Sequence, residues 1–305
     1  MFKLIIIYFF TITTLLANEV DNFSNRYEKL ESSTYAFNLE LNRRIEIAIK
    51  NANAISKNKN ECNDDVFYKQ LKGQLVQLFY SKFELYVIFN GSIPKLFAPK
   101  KSIYSYFHVL STDPSGANLF FSLSPVFNVN GVLVGGDKLS HFFTEGWNYF
   151  KIKNFEGKGT RGALDYGEKM ERGILGLIPS GVYSYADLVA NYQGMLFWER
   201  VINSKKIIKP IKNNNRPYVI CENNQWRQIQ KADFSDYVDM GFDEGINCSN
   251  FRTENLKNAF EKRIKELEIE TQKNMTCPIM KSHCKYLSNK YKNKAIDLLH
   301  PKCRI

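Results

Sequence analysis

Apolar positions along most of this chain recur at intervals of three and four, the period of a helix with one buried face. From Asn18 to about Ile55, Tyr27, Leu30, Phe37, Leu39, Leu41, Ile45 and Ile47 predict a polar-faced helical stretch. Val66 to Phe89 predicts a second helix through Leu71, Leu75, Leu78, Phe79, Phe83 and Leu85, closed by Asn90-Gly91. Further helices are predicted from Asp137 to about Phe150, Arg161 to Gly173, Ser184 to about Ser204, and Thr253 to Gln272. The last has a Thr253 cap and a narrow stripe of Leu256, Phe260, Ile264 and Leu267 that packs on the body. The period changes to two over Phe127–Val134, where Asn130-Gly131 marks a hairpin that connects to Asp137. Pro217–Ile220 and Gln225–Ile229 suit a second hairpin around Glu222-Asn223-Asn224. The fold expected is mainly α: a compact helical core with one or two small β-hairpins and a disulfide-tied C-terminal extension.

One apolar run has a different meaning. Leu4–Leu16 follows Lys3 and precedes Ala17, the order of a signal peptide over residues 1–17, and it is short for a membrane span. An uncleaved N-terminal anchor is the rival reading; a lipid-anchored form is disfavoured because no Cys follows Ala17. No later apolar run nears eighteen residues. The expected organisation is 1–17 signal peptide, 18–250 helical core with its polar centre at 135–198, and 251–305 C-terminal helix and Cys-rich tail. Apolar residues at 44% and aromatics at 14% exclude a disordered chain. The formal charge of +11 comes mostly from dispersed lysine. It suits peripheral contact with anionic lipid or cell wall, and without a recognisable motif it does not argue for nucleic acid.

Two polar stripes interrupt the apolar pattern. Asp137 stands after Gly135-Gly136, where a helix N-cap belongs, and His141 and Glu145 follow at four-residue steps. Leu139, Phe142, Phe143, Trp147 and Phe150 surround that stripe with apolar surface. In the later helix Ser184 is a cap, with Asp187 in capping-box position. Asp187, Asn191 and Gly194 form the second stripe, and Gly194 permits close approach of another backbone. Between them Glu168 and Glu171 share a face, and Glu168 is spaced to pair with Arg172. Inward stripes on three helices bring His141, Glu145, Asp187 and one of Glu168 or Glu171 together. An imidazole with two carboxylates suits a divalent metal, and paired carboxyls suit acid–base chemistry. The same set also suits a satisfied hydrogen-bond network that fixes helix packing.

The order Asp-Lys-x-x-His-Phe, a Glu, then Ser-x-x-Asp-x-x-Ala-Asn-x-x-Gly resembles the pattern of VanZ-like and YfiM-like bacterial envelope proteins. It is carried by Asp137, Lys138, His141, Phe142, Glu171, Ser184, Asp187, Ala190, Asn191 and Gly194, within residues 136–198. VanZ-like proteins cross the membrane several times, which this chain is not expected to do. The resemblance implies an envelope protein with a shared polar core and names no reaction. The whole chain also resembles a set of uncharacterised exported bacterial proteins. Candidate site residues are thus Asp137, Lys138, His141, Glu145, Glu171, Asp187 and Asn191, followed by Glu168, Ser184, Asp243 and Glu244.

Cys62, Cys221, Cys248, Cys277, Cys284 and Cys303 form an even set in an exported chain, which predicts disulfides. Two tail cysteines should pair, with Cys221 or Cys248 tied to another segment. A tail zinc site of Cys277, Cys284, His300 and Cys303 is the alternative, although its spacing is not a standard one. Asp236, Asp239, Asp243 and Glu244 tempt a calcium reading but lack the EF-hand order. His108 reads as a packing or surface residue. No Gly-x-Ser-x-Gly or His-Glu-x-x-His occurs. The expectation is a periplasmic or secreted envelope protein that binds or assembles a cell-wall or lipid component. The alternative is a metal-assisted or acid–base hydrolase of such a component.

Overall fold

The computed structural model of the protein describes residues 18–56, 61–77, 81–107, 122–204, 206–207 and 216–305. The expected signal segment and His108 lie outside the described residues. The chain opens with a strand, β1 (Asn18–Val20). The helix expected from Asn18 starts only at Thr34. The Asp21 carboxylate accepts the N–H groups of Phe23, Ser24 and Ile103, and so holds a turn where helical bonds would form. Helix α1 (Thr34–Ser56) then buries Phe37, Leu41, Ile45, Ala48 and Ala52. The helix expected over Val66–Phe89 is two, α2 (Asp64–Leu75) and α3 (Lys82–Phe89). Val76 is extended, and the Ser81 hydroxyl accepts Glu84 N–H to start a new helix.

β1 pairs in parallel with β2 (Ser122–Ser124). The first expected hairpin is present: β3 (Val126–Val129) and β4 (Val132–Gly135) pair antiparallel. Asn130 and Gly131 take φ 51° and 84°, the left-handed pair that a two-residue hairpin turn requires. It delivers the chain directly into a helical rod. The rod consists of α4 (Asp137–Ser140), a wide turn at His141–Glu145, α5 (Gly146–Phe150) and a second wide turn at Lys151–Phe155. The wide turns close i→i+5 bonds. Next come α6 (Gly159–Arg172), the strand β5 (Val182–Ser184) and α7 (Tyr185–Val201). The second hairpin, β6 (Val219–Glu222) and β7 (Gln225–Gln228), turns on Asn223 and Asn224, both at positive φ. β8 (Ser249–Phe251) pairs with β5. The tail holds α8 (Glu254–Thr271), α9 (Lys281–Tyr291) and the short α10 (Ala295–Leu298).

α7 is the axis of the core. Its residues are buried on nearly every face, so the helix is enclosed and shows no exposed polar stripe. The rod lies against it. A Cβ built on Gly194 would strike the Phe142 carbonyl, and one on Gly146 would lie 2.7 Å from the Gly194 backbone. The two glycines therefore let backbone touch backbone, as expected for Gly194. Phe142, Phe143, Phe197 and Phe234 pack edge to face or tilted around this contact, and Trp198 Nε1 donates to the Phe143 carbonyl at 3.1 Å. A second apolar cluster joins Leu256, Ile264 and Leu267 of α8 to Phe23, Ile103 and Val182, so this helix packs on the body.

Three disulfides join Cys62 to Cys221, Cys248 to Cys277 and Cys284 to Cys303. They overturn the tail zinc alternative, because all of its thiols are consumed and His300 hydrogen-bonds Asn250 and Lys302 N–H. Three disulfides fit an oxidising, extracytoplasmic compartment. Among the described residues no helix is long and apolar enough to cross a membrane.

Candidate functional site

Lys138 is the centre of the polar constellation. Its side chain is fully buried. The ammonium lies 2.8 Å from Asp137 Oδ2, 2.5 Å from Asp187 Oδ1 and 2.6 Å from Glu244 Oε1. The Asp187 contact is an ion pair without hydrogen-bond direction; the other two are directed bonds. With three carboxyl groups around it the ammonium is held well above the usual lysine range, against the burial that opposes it.

The elements explain the convergence. Asp137 does not act as the expected N-cap. It is the first helical residue, Gly136 holds the cap position, and Asp137 Oδ1 accepts Lys138 N–H at 2.7 Å. The wide turn at His141 then breaks the expected Asp137–His141–Glu145 stripe. Glu145 accepts from Asn148 Nδ2 and Tyr166 OH and remains within the field of His141, without a direct bond to the cluster. His141 stays with the cluster: Nε2 is 3.1 Å from Asp187 Oδ2 and Nδ1 is 3.0 Å from the Asn191 side chain. On α7 Ser184 caps as expected, accepting Asp187 N–H. Asp187 does not complete the capping box, because Ser184 N–H goes to Glu171 Oε1 at 2.9 Å. Ser184 Oγ donates to Glu244 Oε1 at 3.0 Å, which ties α7 to the 240s segment.

Of the α6 carboxylates only Glu171 faces inward. Glu168 pairs with Arg172 at 2.9 Å on the surface, so it leaves the candidate set. Asp243 leaves it too, being bound at both oxygens by Arg26. The other acidic residues of that stretch are likewise committed, Asp239 to Tyr291 and Lys290 and Asp236 to Arg200, so no calcium loop forms there. Glu19 was not anticipated. It sits in β1, buried, in the field of Glu244 and Asp187. A short strand beside a signal-like run carries no pattern that marks such a residue.

Burial and mutual repulsion set the protonation states. Glu171 is pushed up to about 8, first by burial and then by the Asp187 carboxylate. Its Oε2 is buried with no partner, which suits a protonated carboxyl. Glu244 is pushed up to about 7 by burial, with Lys138 opposing. Glu19 rises well above the carboxylate range, and Asp137 also rises, both by burial. Asp187 goes the other way: His141 and Lys138 outweigh its burial and hold it ionised.

His141 is drawn up to about 10 by Asp187, against its burial. Asn191 opposes this. Its amide fits best with nitrogen toward the Asp187 and His141 carbonyls at 3.2 Å, and nitrogen would then also face His141 Nδ1. Two such bonds contribute roughly 1 kcal/mol each. The shift on His141 amounts to roughly 5 kcal/mol. The carboxylate therefore wins, and the ring is protonated at pH 7 with Asn191 oxygen accepting from Nδ1. Two cations, Lys138 and His141, then face an ionised Asp187, while burial pushes Asp137, Glu19, Glu171 and Glu244 toward their protonated forms.

Asp137, His141 and Asp187 offer ligand atoms within 4.8 Å of one another. They do not fit a divalent ion well. The ammonium of Lys138 already contacts both carboxylates, so a metal would have to displace a buried cation that the same groups stabilise.

The cluster borders a cavity of about 740 Å³, a volume typical of small-molecule sites. Glu244 belongs to both, joining Lys138 on one side and lining the cavity on the other. Tyr104, Tyr183, Tyr185, Phe251 and Phe260 supply much of the wall, and the Cys248–Cys277 bridge crosses it. Comparison with known proteins found no matching family model, curated relative or solved structure.

Proposed function

We propose that the chain is an exported cell-envelope binding protein, in which the Asp137–Lys138–His141–Asp187–Glu244 cluster forms the rigid floor of a ligand cavity. One observation carries this reading. The Lys138 ammonium meets three carboxyl groups inside the protein, so the chain supplies its own cation where a metal or substrate charge would otherwise bind. An envelope location, periplasmic or secreted, agrees with the signal-like N-terminus and the three disulfides. The resemblance to VanZ-like and YfiM-like proteins supports the same reading. Asp137, Lys138, His141, Glu171, Ser184, Asp187 and Asn191, all part of that pattern, are the residues that meet here.

An acid–base hydrolase is the second reading, and one observation favours it. Glu244 lines the cavity with its carboxyl at about 7, where a group can both give and take a proton. The test is metal content and stability of natively exported protein, purified without chelators or a metal-affinity tag. Binding without catalysis predicts no stoichiometric metal and destabilisation of Lys138→Met by roughly 3–5 kcal/mol. About one metal per chain, lost in His141→Ala while the fold survives, would overturn it. Turnover of an ester or glycoside that Glu244→Gln abolishes would favour the hydrolase.

A further inference from the structure

The cavity has a definite chemical character, and the floor cluster does not account for it. Its wall is aromatic, but its cationic lining outnumbers its carboxyls. Arg172, Arg252, Lys257, Lys265 and Lys302 line it against Glu244 and Glu261. Lys257 is paired with Glu254, and Arg172 with Glu168 while lying over the Tyr183 ring at 5.3 Å. Arg252 donates to the carbonyls of Leu177 and Ile178. Lys265 and Lys302 make no ion pair among the described residues, and both are exposed. Two ammonium groups without a salt-bridge partner among the described residues thus line a cavity with an aromatic wall, Lys265 acting on Glu268 only through its field. Beside it, the loop that carries Leu177 exposes Ile174 and Ile178 at 53% and 59%.

We propose that this cavity binds an amphiphilic anion, its apolar body against Tyr183, Tyr185, Phe251 and Phe260 and its oxyanion head at Lys265 and Lys302. The proposal rests on the cavity being a ligand site, as argued above, and adds the ligand's class. An apolar wall supplies the area-dependent part of the affinity, and a charge placed at the rim avoids burying an ion without water. Lysine suits such a head because its ammonium reaches a phosphate or carboxylate from a flexible stem. A cationic amphiphile would meet like charges at the rim, and a small inorganic anion would leave the aromatic wall uncovered. The same head chemistry is found on fatty carboxylates and on phosphate-headed lipids.

The experiment uses the full chain, natively exported and delipidated, titrated calorimetrically below the micelle concentration. The probes are dodecanoate, dodecyl phosphate, dodecyl maltoside, dodecyltrimethylammonium and inorganic phosphate. One or both of the anionic amphiphiles should bind at least tenfold more tightly than the other three, and which of them wins distinguishes the source. The double variant Lys265→Glu/Lys302→Glu should lose at least tenfold in affinity for that anion and keep its weak affinity for dodecyl maltoside. Both substitutions lie on exposed side chains, so an unchanged melting temperature will show that the fold is intact. Equal binding of dodecyl maltoside or the cation would refute the ligand class while leaving a cavity that binds. Inorganic phosphate binding as tightly as dodecyl phosphate would also refute it. No binding by any amphiphile would refute the class and the binding reading together.

Discussion

The buried carboxyls make stability fall as pH rises, and the size of the effect follows from the site. Glu171 and Glu244 have folded values of about 8 and about 7 against an ordinary 4.5, and His141 about 10 against 6.5. All three are raised, so in each case the folded state holds protons more tightly than the unfolded chain. Their stabilisation is fully present below the unfolded values and is lost as pH climbs through the folded ones. At pH 7 the folded protein holds about nine-tenths of a proton more on Glu171, about half more on Glu244 and about three-quarters more on His141. His300, lowered to about 4 by burial and by Lys302 and Arg304, subtracts about a quarter. These four groups give an excess of about two protons, each corresponding to about 1.4 kcal/mol per pH unit, and the burial of Glu19, Asp137 and Glu145 adds to it in the same direction. Stability should then fall by roughly 3 kcal/mol per pH unit near neutrality. Water in the cavity beside Glu244 will lower its share, and the other raised carboxyls act the opposite way. Urea unfolding at pH 6, 7 and 8 with disulfides intact measures the slope, and an indicator dye counts protons released on unfolding. Glu171→Gln should remove nearly one of them. A midpoint that is flat or rising from pH 6 to 8, or proton uptake on unfolding, would refute the protonation states assigned here.

Three further outcomes follow from the packing. Lys138→Met should cost roughly 3–5 kcal/mol in thermal unfolding, and adding Asp187→Asn should recover part of it, because the second change removes the stranded charge. Gly194→Ala should cost about 3 kcal/mol through its clash with the Phe142 carbonyl, whereas Gly91→Ala, which meets nothing within 4 Å, should leave the urea midpoint unchanged. Cys62→Ser/Cys221→Ser should cost more than Cys284→Ser/Cys303→Ser. The sequence separations of 159 and 19 give about 5 and about 3 kcal/mol from chain entropy.

What the sequence revealed, and what it hid, divides along local and non-local physics. The caps at Ser184 and Thr253, the Asn-Gly hairpin and the Gly194 contact are each written in a few adjacent residues, and each is present. The His141–Asn191 and Asp187 meeting was legible because two stripes of the right spacing face one another. The wide turn at His141–Glu145 was not legible, because an i→i+5 turn leaves no compositional trace and the spacing alone implies a regular helix. Lys138 enters the candidate set through the resemblance and not through its spacing, and only the fold reveals that three carboxyls from separate segments enclose it. Glu168 and Glu171 could not be told apart by spacing, since both fit one face; only the approach of Ser184 N–H selects Glu171.

The enclosure of Lys138 has a consequence for how the protein is made. Its partners arrive from Asp137 next door, from Asp187 about fifty residues on, and from Glu244, 106 positions downstream. As the chain is made from its N-terminus onward, this ammonium must stay in water until the last of those segments has been added. The first four-fifths of the protein can form helices but cannot close its centre. The lysine thereby works as a completion check: a chain truncated before Glu244 leaves the centre open on the side that this carboxyl would close.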